Sequence, residues 1–194
     1  MRSRDLTRLF GDFWSWAYSD TLSNSNRSVF AEYLVGYALD MLDRPRTEWD
    51  RCDLYYQDKV IEFKASAYLQ SWPQTRLSTI AFDIGPHEGW NAIANSSCAE
   101  PRRCADCYIF CVFADRERSN CLVADVGRWN FYIAATSDLD RHFGPQKSAR
   151  LSSIERVASP IGFEGFRAEV DKPIGSPCKR SGDLPCRQAI LKRT

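Results

Sequence analysis

Apolar residues return at two different intervals along this chain. Between residues 5 and 20, Leu6, Phe10, Phe13, Trp14 and Ala17 recur at helical spacing, which predicts an amphipathic helix packing its aromatic stripe on the rest of the domain. The capping residues SNSNRS follow, and the run VFAEYLVGYALDML at 29–42 is apolar on nearly every side, interrupted only by Glu32 and Asp40. That pattern predicts a second helix, buried all round and ended by Arg44-Pro45.

Beyond it the texture changes to short runs rich in Tyr, Val, Ile and Phe. Residues 54–57 and 60–65 predict the two strands of a hairpin, and 79–84, 107–114 and 129–135 predict further strands. A short helix is expected near Ser137 and another from 151 to 157, with no internal repeat anywhere. Two helices followed by about five strands with helices between them predict an α/β fold, one central mixed β-sheet flanked by α-helices.

Length fits a single domain: 194 residues support one sizeable core but not two. The expected domain is 1–170, with its N-terminal helix at 5–20 and its core at about 25–157. With 44% hydrophobic and 13% aromatic residues, a disordered chain is excluded. No apolar run reaches the roughly 18 residues that cross a bilayer, and MRSRDLTRLF lacks the apolar centre of a secretory signal, so a soluble, cytoplasmic protein without a membrane partner is expected.

Net charge is only +1, but it is unevenly spread. From 171 onward six Lys or Arg stand against two Asp, a local +4, and Pro173, Pro177 and Pro185 break the same stretch. A basic, irregular tail is expected over 171–194, serving as a solubilising end or as an arm for phosphates. Cys104-Ala-Asp-Cys107 has the spacing of half a zinc site, but no second pair accompanies it and His87 and His142 stand apart. The eight cysteines are read as reduced structural thiols, with a cysteine-centred metal site as the competing reading.

The chemistry concentrates in WDRCDLYYQDKVIEFKAS, residues 49–66. If the hairpin turns on Asp58-Lys59, Asp53 faces Lys64 and Tyr55 faces Glu62, so Asp53, Glu62 and Lys64 share one face. A three-residue turn would instead pair Asp53 with Phe63 and break that arrangement. An exposed cross-strand ion pair is the plain explanation of such a face. Glu32 presses for another, because a carboxylate in an almost wholly apolar helix must be protonated, reach the helix end, or meet a cation. A divalent metal shared with Asp53 and Glu62, on a face covered by that helix, would satisfy all three carboxylates.

This order, Glu32 on a helix, Asp53 at a strand start and Glu62-Phe63-Lys64 on the next strand, resembles the PD-(D/E)XK nucleases, the restriction-endonuclease-like superfamily. Cys52 stands where that pattern commonly has Pro. The phrases VFAEYLVGYAL, WDRCDLYY, IEFKASAYLQSW, WNFYIAATSDLD and QKSARLS look like a bacterial branch of it, over roughly residues 25–157. The resemblance implies a restriction-endonuclease-like core and a Mg²⁺-dependent DNA endonuclease, with Mn²⁺ as a substitute and a homodimer as the working form. It implies Asp53, Glu62, the Phe63 carbonyl and Glu32 as metal ligands, with Lys64 beside the attacking water.

The same resemblance makes Gln70 a catalytic candidate and Ser66 a secondary one, against ordinary turn chemistry as the strand ends. Tyr68, Trp72 and Trp90 are candidates for base stacking, against core packing, and Lys147, Arg150, Arg102 and Arg103 for phosphate contacts. The alternative function is a nuclease-like module that binds DNA or a protein without cutting.

Overall fold

In the computed structural model, which describes residues 3–43, 46, 53–87, 90–91, 96–97 and 101–174, the elements in chain order are α1 (Ser3–Tyr18), α2 (Asn24–Ala38), β1 (Leu54–Tyr56), β2 (Lys59–Ala67), β3 (Ala81–Asp83), β4 (Trp90–Asn91), β5 (Ser96–Ser97), β6 (Cys107–Phe113), β7 (Trp129–Ala135), α3 (Thr136–Phe143), β8 (Ser148–Arg150), α4 (Leu151–Ile154) and α5 (Phe163–Val170). The central sheet has the order β1-β2-β6-β7 and is mixed: β2 runs parallel to β6, while β1 and β7 run antiparallel to their neighbours. The α/β class expected from the sequence is therefore present.

Strand β6, CYIFCVF, is buried at every position, because both of its faces are covered. Cys107, Ile109, Cys111 and Phe113 face a core built with Ala31, Leu34 and Val35 of α2 and Phe166 and Val170 of α5. Tyr108, Phe110 and Val112 face a second core with Phe82, Leu139, Ala149 and Ile154. The predicted strand at 79–84 shrinks to β3 and leaves the central sheet, pairing antiparallel with β8 in a separate two-stranded sheet. A parallel β2–β6 pair needs a long crossover, and β3 lies within that crossover, packed flat on it by Phe82 against Phe110 at 4.8 Å.

Helix α2 starts at Asn24 rather than at 29, since Ser23 accepts the Asn26 N–H at 3.2 Å and caps it. It ends at Ala38, earlier than expected. Asp40 turns left-handed (φ 56°), with Asp40 N–H to Tyr37 O at 3.2 Å and Met41 N–H to Gly36 O at 2.8 Å, the paired bonds of a Schellman end. Arg44-Pro45 lies outside the described residues. Nor is α2 buried all round: Tyr33 and Tyr37 are 49% and 60% exposed on a ridge that Phe163 of α5 meets at Tyr37.

Helix α1 departs further from expectation. Of its predicted stripe, Phe10, Phe13 and Trp14 stay exposed and Ala17 is half-buried; Leu9 and Trp16, outside the stripe, are exposed as well, Trp16 by 79%. The faces of the sheet are already covered by α2 and α5 on one side and by β3, β8, α3 and α4 on the other, and the rings of α1 meet each other instead, Phe13 edge-on to Trp14 at 5.0 Å. Asn26 Nδ2 ties the end of α1 to the start of α2 by donating to Ala17 O and Asp20 O.

Helix α5 was not expected, and it sets the hairpin register. The turn is Gln57-Asp58, not Asp58-Lys59, with Leu54 opposite Ile61, Tyr55 opposite Val60 and Tyr56 opposite Lys59. Gln57 takes φ 53°, a conformation usually left to Gly. The end of α5 holds it there: Asp171 Oδ1 accepts from Tyr56 Oη at 2.8 Å and from Gln57 Nε2 at 3.0 Å, and Lys59 Nζ donates to Val170 O and Lys172 O. Residues 171–174 thus belong to the folded unit and not to a loose tail; 175–194 lie outside the described residues.

Phe166 is fully buried against Phe131 at 4.9 Å. Phe166→Ala is expected to cost about 3–5 kcal/mol of unfolding free energy, read as a shifted urea midpoint. An unchanged midpoint would mean that α5 is not part of the core.

Candidate active site

The site residues come from three elements whose placement follows from β2. Strand β2 has nine residues and β1 only three, so the β1 ladder stops at Leu54–Ile61 and leaves the outer edge of β2 without that neighbour from Glu62 onward. Extended by one pair, the observed register sets Asp53 opposite Glu62. The expected partner Lys64 is displaced by two, yet Asp53, Glu62 and Lys64 keep a common face, because a shift of two preserves the pleat.

Asp53 as a residue is exposed, but its carboxyl turns back onto the open edge and Oδ2 accepts the Phe63 N–H at 2.6 Å. A strand residue directs its N–H and carbonyl to the same edge, so the Phe63 carbonyl lies on the edge that Asp53 caps. Burial pushes the Asp53 carboxyl up to about 6, and the Glu62 carboxylate pushes the same way. The Phe63 N–H opposes them, Glu32 adds to the rise, and Lys64 subtracts from it. The other three charged candidates, Glu62, Glu32 and Lys64, therefore all act on the Asp53 carboxyl.

Helix α2 does not cover the face that carries Glu62 and Lys64, contrary to expectation. Ile61, Phe63 and Ala67 point to α2, so the pleat turns Glu62, Lys64 and Ser66 to the opposite side, with Val60 and the second core. Glu32 approaches from the α2 side and Glu62 from the other, and Asp53 stands at the edge between them. Accordingly the charges of Glu32 and Asp53 reach Cys111, while that of Glu62 reaches Tyr108.

Each glutamate has a cation. Lys64 Nζ donates to Glu62 Oε1 at 2.7 Å, two residues along the same strand. Arg46 grips Glu32 with both arms of its guanidinium, Nη2 to Oε1 at 3.1 Å and Nε to Oε2. Arg46 is a site residue that the sequence reading missed. The need of Glu32 for a cation was legible, but the partner lies 14 residues away, beyond any helical or strand spacing rule.

As donors, Glu32, Asp53, Glu62 and the Phe63 carbonyl are hard oxygens of the kind Mg²⁺ takes. Among the described residues, however, no three His, Cys, Asp or Glu side chains gather as a metal-binding group. The donor chemistry fits a divalent cation; the present pairing with Arg46 and Lys64 occupies two of the three carboxylates.

Gln70 lies past the end of β2 and is not joined to this group by any hydrogen bond: Nε2 donates to Ala67 O at 3.0 Å, its N–H donates to Gln74 Oε1 at 2.7 Å, and Arg118 donates to its carbonyl. Its Oε1 is buried with no partner among the described residues. Tyr68 lies under the Arg116 guanidinium at 4.2 Å, and Trp72 is exposed. The Trp90 side chain lies outside the description. Lys147 and Arg150 are exposed, whereas Arg103 is a buried brace, donating to Ile84 O at 2.7 Å and Asp140 Oδ1 at 2.5 Å, and is not turned to phosphates. Cys107 and Cys111 are buried in β6, and burial pushes both thiols up, Cys107 to about 12.

An acid whose pKa is higher folded than unfolded binds its proton more tightly in the folded chain. Ionised Asp53 therefore destabilises the fold; the penalty is absent below the ordinary value of 3.8, grows as pH rises, and is complete above about 6. Asp53→Asn, which keeps an oxygen for the Phe63 N–H, is expected to raise the melting temperature at pH 8 without metal and to leave it nearly unchanged at pH 3.5. A gain that is equal at both pH values would contradict this assignment.

Comparison of the chain with family models, with curated proteins and with solved structures gives no match in any of the three.

Proposed function

We propose that this protein is a nuclease of the PD-(D/E)XK kind, a DNA endonuclease that hydrolyses phosphodiester bonds with Mg²⁺, for which Mn²⁺ can substitute. One observation carries the reading: Asp53, Glu62 and Lys64 meet at the open edge of β2, with the Asp53 carboxyl pushed up to about 6 by burial and by Glu62. A structural ion pair gains nothing from a third, desolvated carboxylate, whereas a cation site needs one.

A divalent cation held by these oxygens would supply an acidified water and a polarised phosphate. Asp53 and Glu62 would hold it from the strand edge, and Glu32 from the α2 side. Lys64, anchored beside Glu62, would orient the attacking water and offset the charge that builds on the phosphate oxygens in the transition state. Gln70 has no step in this scheme.

Cutting both strands of a duplex takes two such sites, which makes a homodimer the working form. With a net charge of +1 over the whole chain, DNA affinity should come from local cations and fall steeply with salt. No helix among the described residues is long and apolar enough to cross a membrane, in keeping with action on cytoplasmic DNA.

A second reading, a binding module without catalysis, draws on the same site. Glu32 and Glu62 are each neutralised by a side chain of the chain itself, and a module that had lost its cation would be stable in that state.

The two separate on supercoiled plasmid and branched DNA incubated with Mg²⁺ or Mn²⁺. Cleavage is expected, abolished by EDTA and reduced about 100-fold or more by Glu62→Ala or Lys64→Ala. Intact substrates under both metals, with retained gel-shift binding, would favour the module. Cleavage that survives Glu62→Ala would place the activity at another site.

A further inference from the structure

We propose that Arg46 is a positioning residue for the metal site: its guanidinium latches Glu32 in the metal-free protein and is exchanged for the divalent cation when that cation binds. The inference rests on the nuclease reading above and concerns how its site is assembled.

Three observations lead to it. Glu32 belongs to the helix on one side of the sheet and Glu62 to the opposite face, so the carboxylates meet only if Glu32 reaches round the edge to Asp53. Arg46 forks both oxygens of Glu32, the arrangement in which guanidinium holds a carboxylate most firmly and leaves it least free to turn. The pair is also shallow: the Arg46 side chain is 41% exposed and that of Glu32 19%. At that exposure, a guanidinium that lets go of Glu32 is not left as a buried charge.

Together these explain why the donors are chemically suited to a hard cation and yet do not gather as a metal group among the described residues. The guanidinium and the divalent cation compete for the same two oxygens, so each weakens the other's hold on Glu32 by the same factor. Lys64 holds Glu62 through one oxygen, Oε1, where Arg46 holds both oxygens of Glu32, so its competition with a cation is the weaker of the two.

The test is Mn²⁺ binding to the full chain without DNA, followed by electron paramagnetic resonance of the free ion and by calorimetry, for wild type, Arg46→Gln, Arg46→Lys, Glu32→Gln and the double variant Arg46→Gln with Glu32→Gln. Arg46→Gln is expected to bind Mn²⁺ about three- to tenfold more tightly, as befits removal of a partly exposed competing ion pair. Arg46→Lys, which keeps the charge and loses the fork, should fall between, and the gain should vanish in the double variant. A merely structural Arg46 would change melting temperature without this dependence on Glu32. Unchanged or weaker Mn²⁺ binding in Arg46→Gln and Arg46→Lys would overturn the latch and leave the nuclease reading standing. No Mn²⁺ binding by any of the proteins would overturn both.

Discussion

A seven-residue strand without a charged side chain cannot face water on either side, and β6 dictates the rest of the molecule for that reason. Its α2-facing residues recruit α2 and α5; its other face recruits β3, β8, α3 and α4. Its edges are closed by β2 and β7. Strand β2 joins a covered face to an open edge, since β6 pairs with it as far as Ala67 but β1 accompanies only its first part. The candidate site arises from that mismatch in strand length. Asp53 answers the first backbone N–H past the ladder, and so is brought into contact with the carboxylates of β2 and α2.

Two costs meet at this edge. An unsatisfied strand N–H is costly if buried, and Asp53 removes that cost by accepting from Phe63. Doing so places a carboxylate where it is desolvated and faces Glu62, which raises its pKa in spite of the hydrogen bond. Stability alone would be served as well by Asn or Ser at this position. A carboxylate there is the kind of local conflict that concentrates at functional sites.

Much of this was legible in the chain. Period-two and continuous apolar runs located β2, β6 and β7, because those strands are buried deeply enough for composition to report them. The order of Glu32, Asp53, Glu62 and Lys64 along helix, strand start and strand was also visible. What escaped was decided by contacts distant in sequence. The hairpin register turned on Gln57, whose left-handed φ no local signal announces; its support comes from Asp171, 114 residues away. The octapeptide FEGFRAEV has too little periodicity to mark α5, which exists through the burial of Phe166 and Val170. Alternation alone could show that Glu62 opposes Phe63 across the strand, but not which of those faces α2 would choose. The apolar stripe of α1 misled in the opposite direction: helical periodicity foretold the helix correctly, while its burial required a vacant core face that the fold does not leave.

The two ion pairs of the site are not equivalent, and their difference bears on how a cation could be admitted. Glu62 and Lys64 are held on the same face of one strand by the pleat, so their proximity is fixed by backbone geometry and survives whatever their side chains bind. Glu32 and Arg46 meet across the 14-residue interval between a helix and the chain segment that follows it, and their proximity depends on side-chain rotamers. Rotamer changes at partly exposed positions are fast and cost little, whereas breaking a strand pairing does not. Either glutamate can change partners by rotamer alone, but only Glu62 has its cation held beside it by the pleat of a single strand. Glu62, the Phe63 carbonyl and Lys64 are thus ordered by the β2 backbone, with Asp53 fastened to its edge through the Phe63 N–H, while Glu32 is carried by a helix and held by side chains.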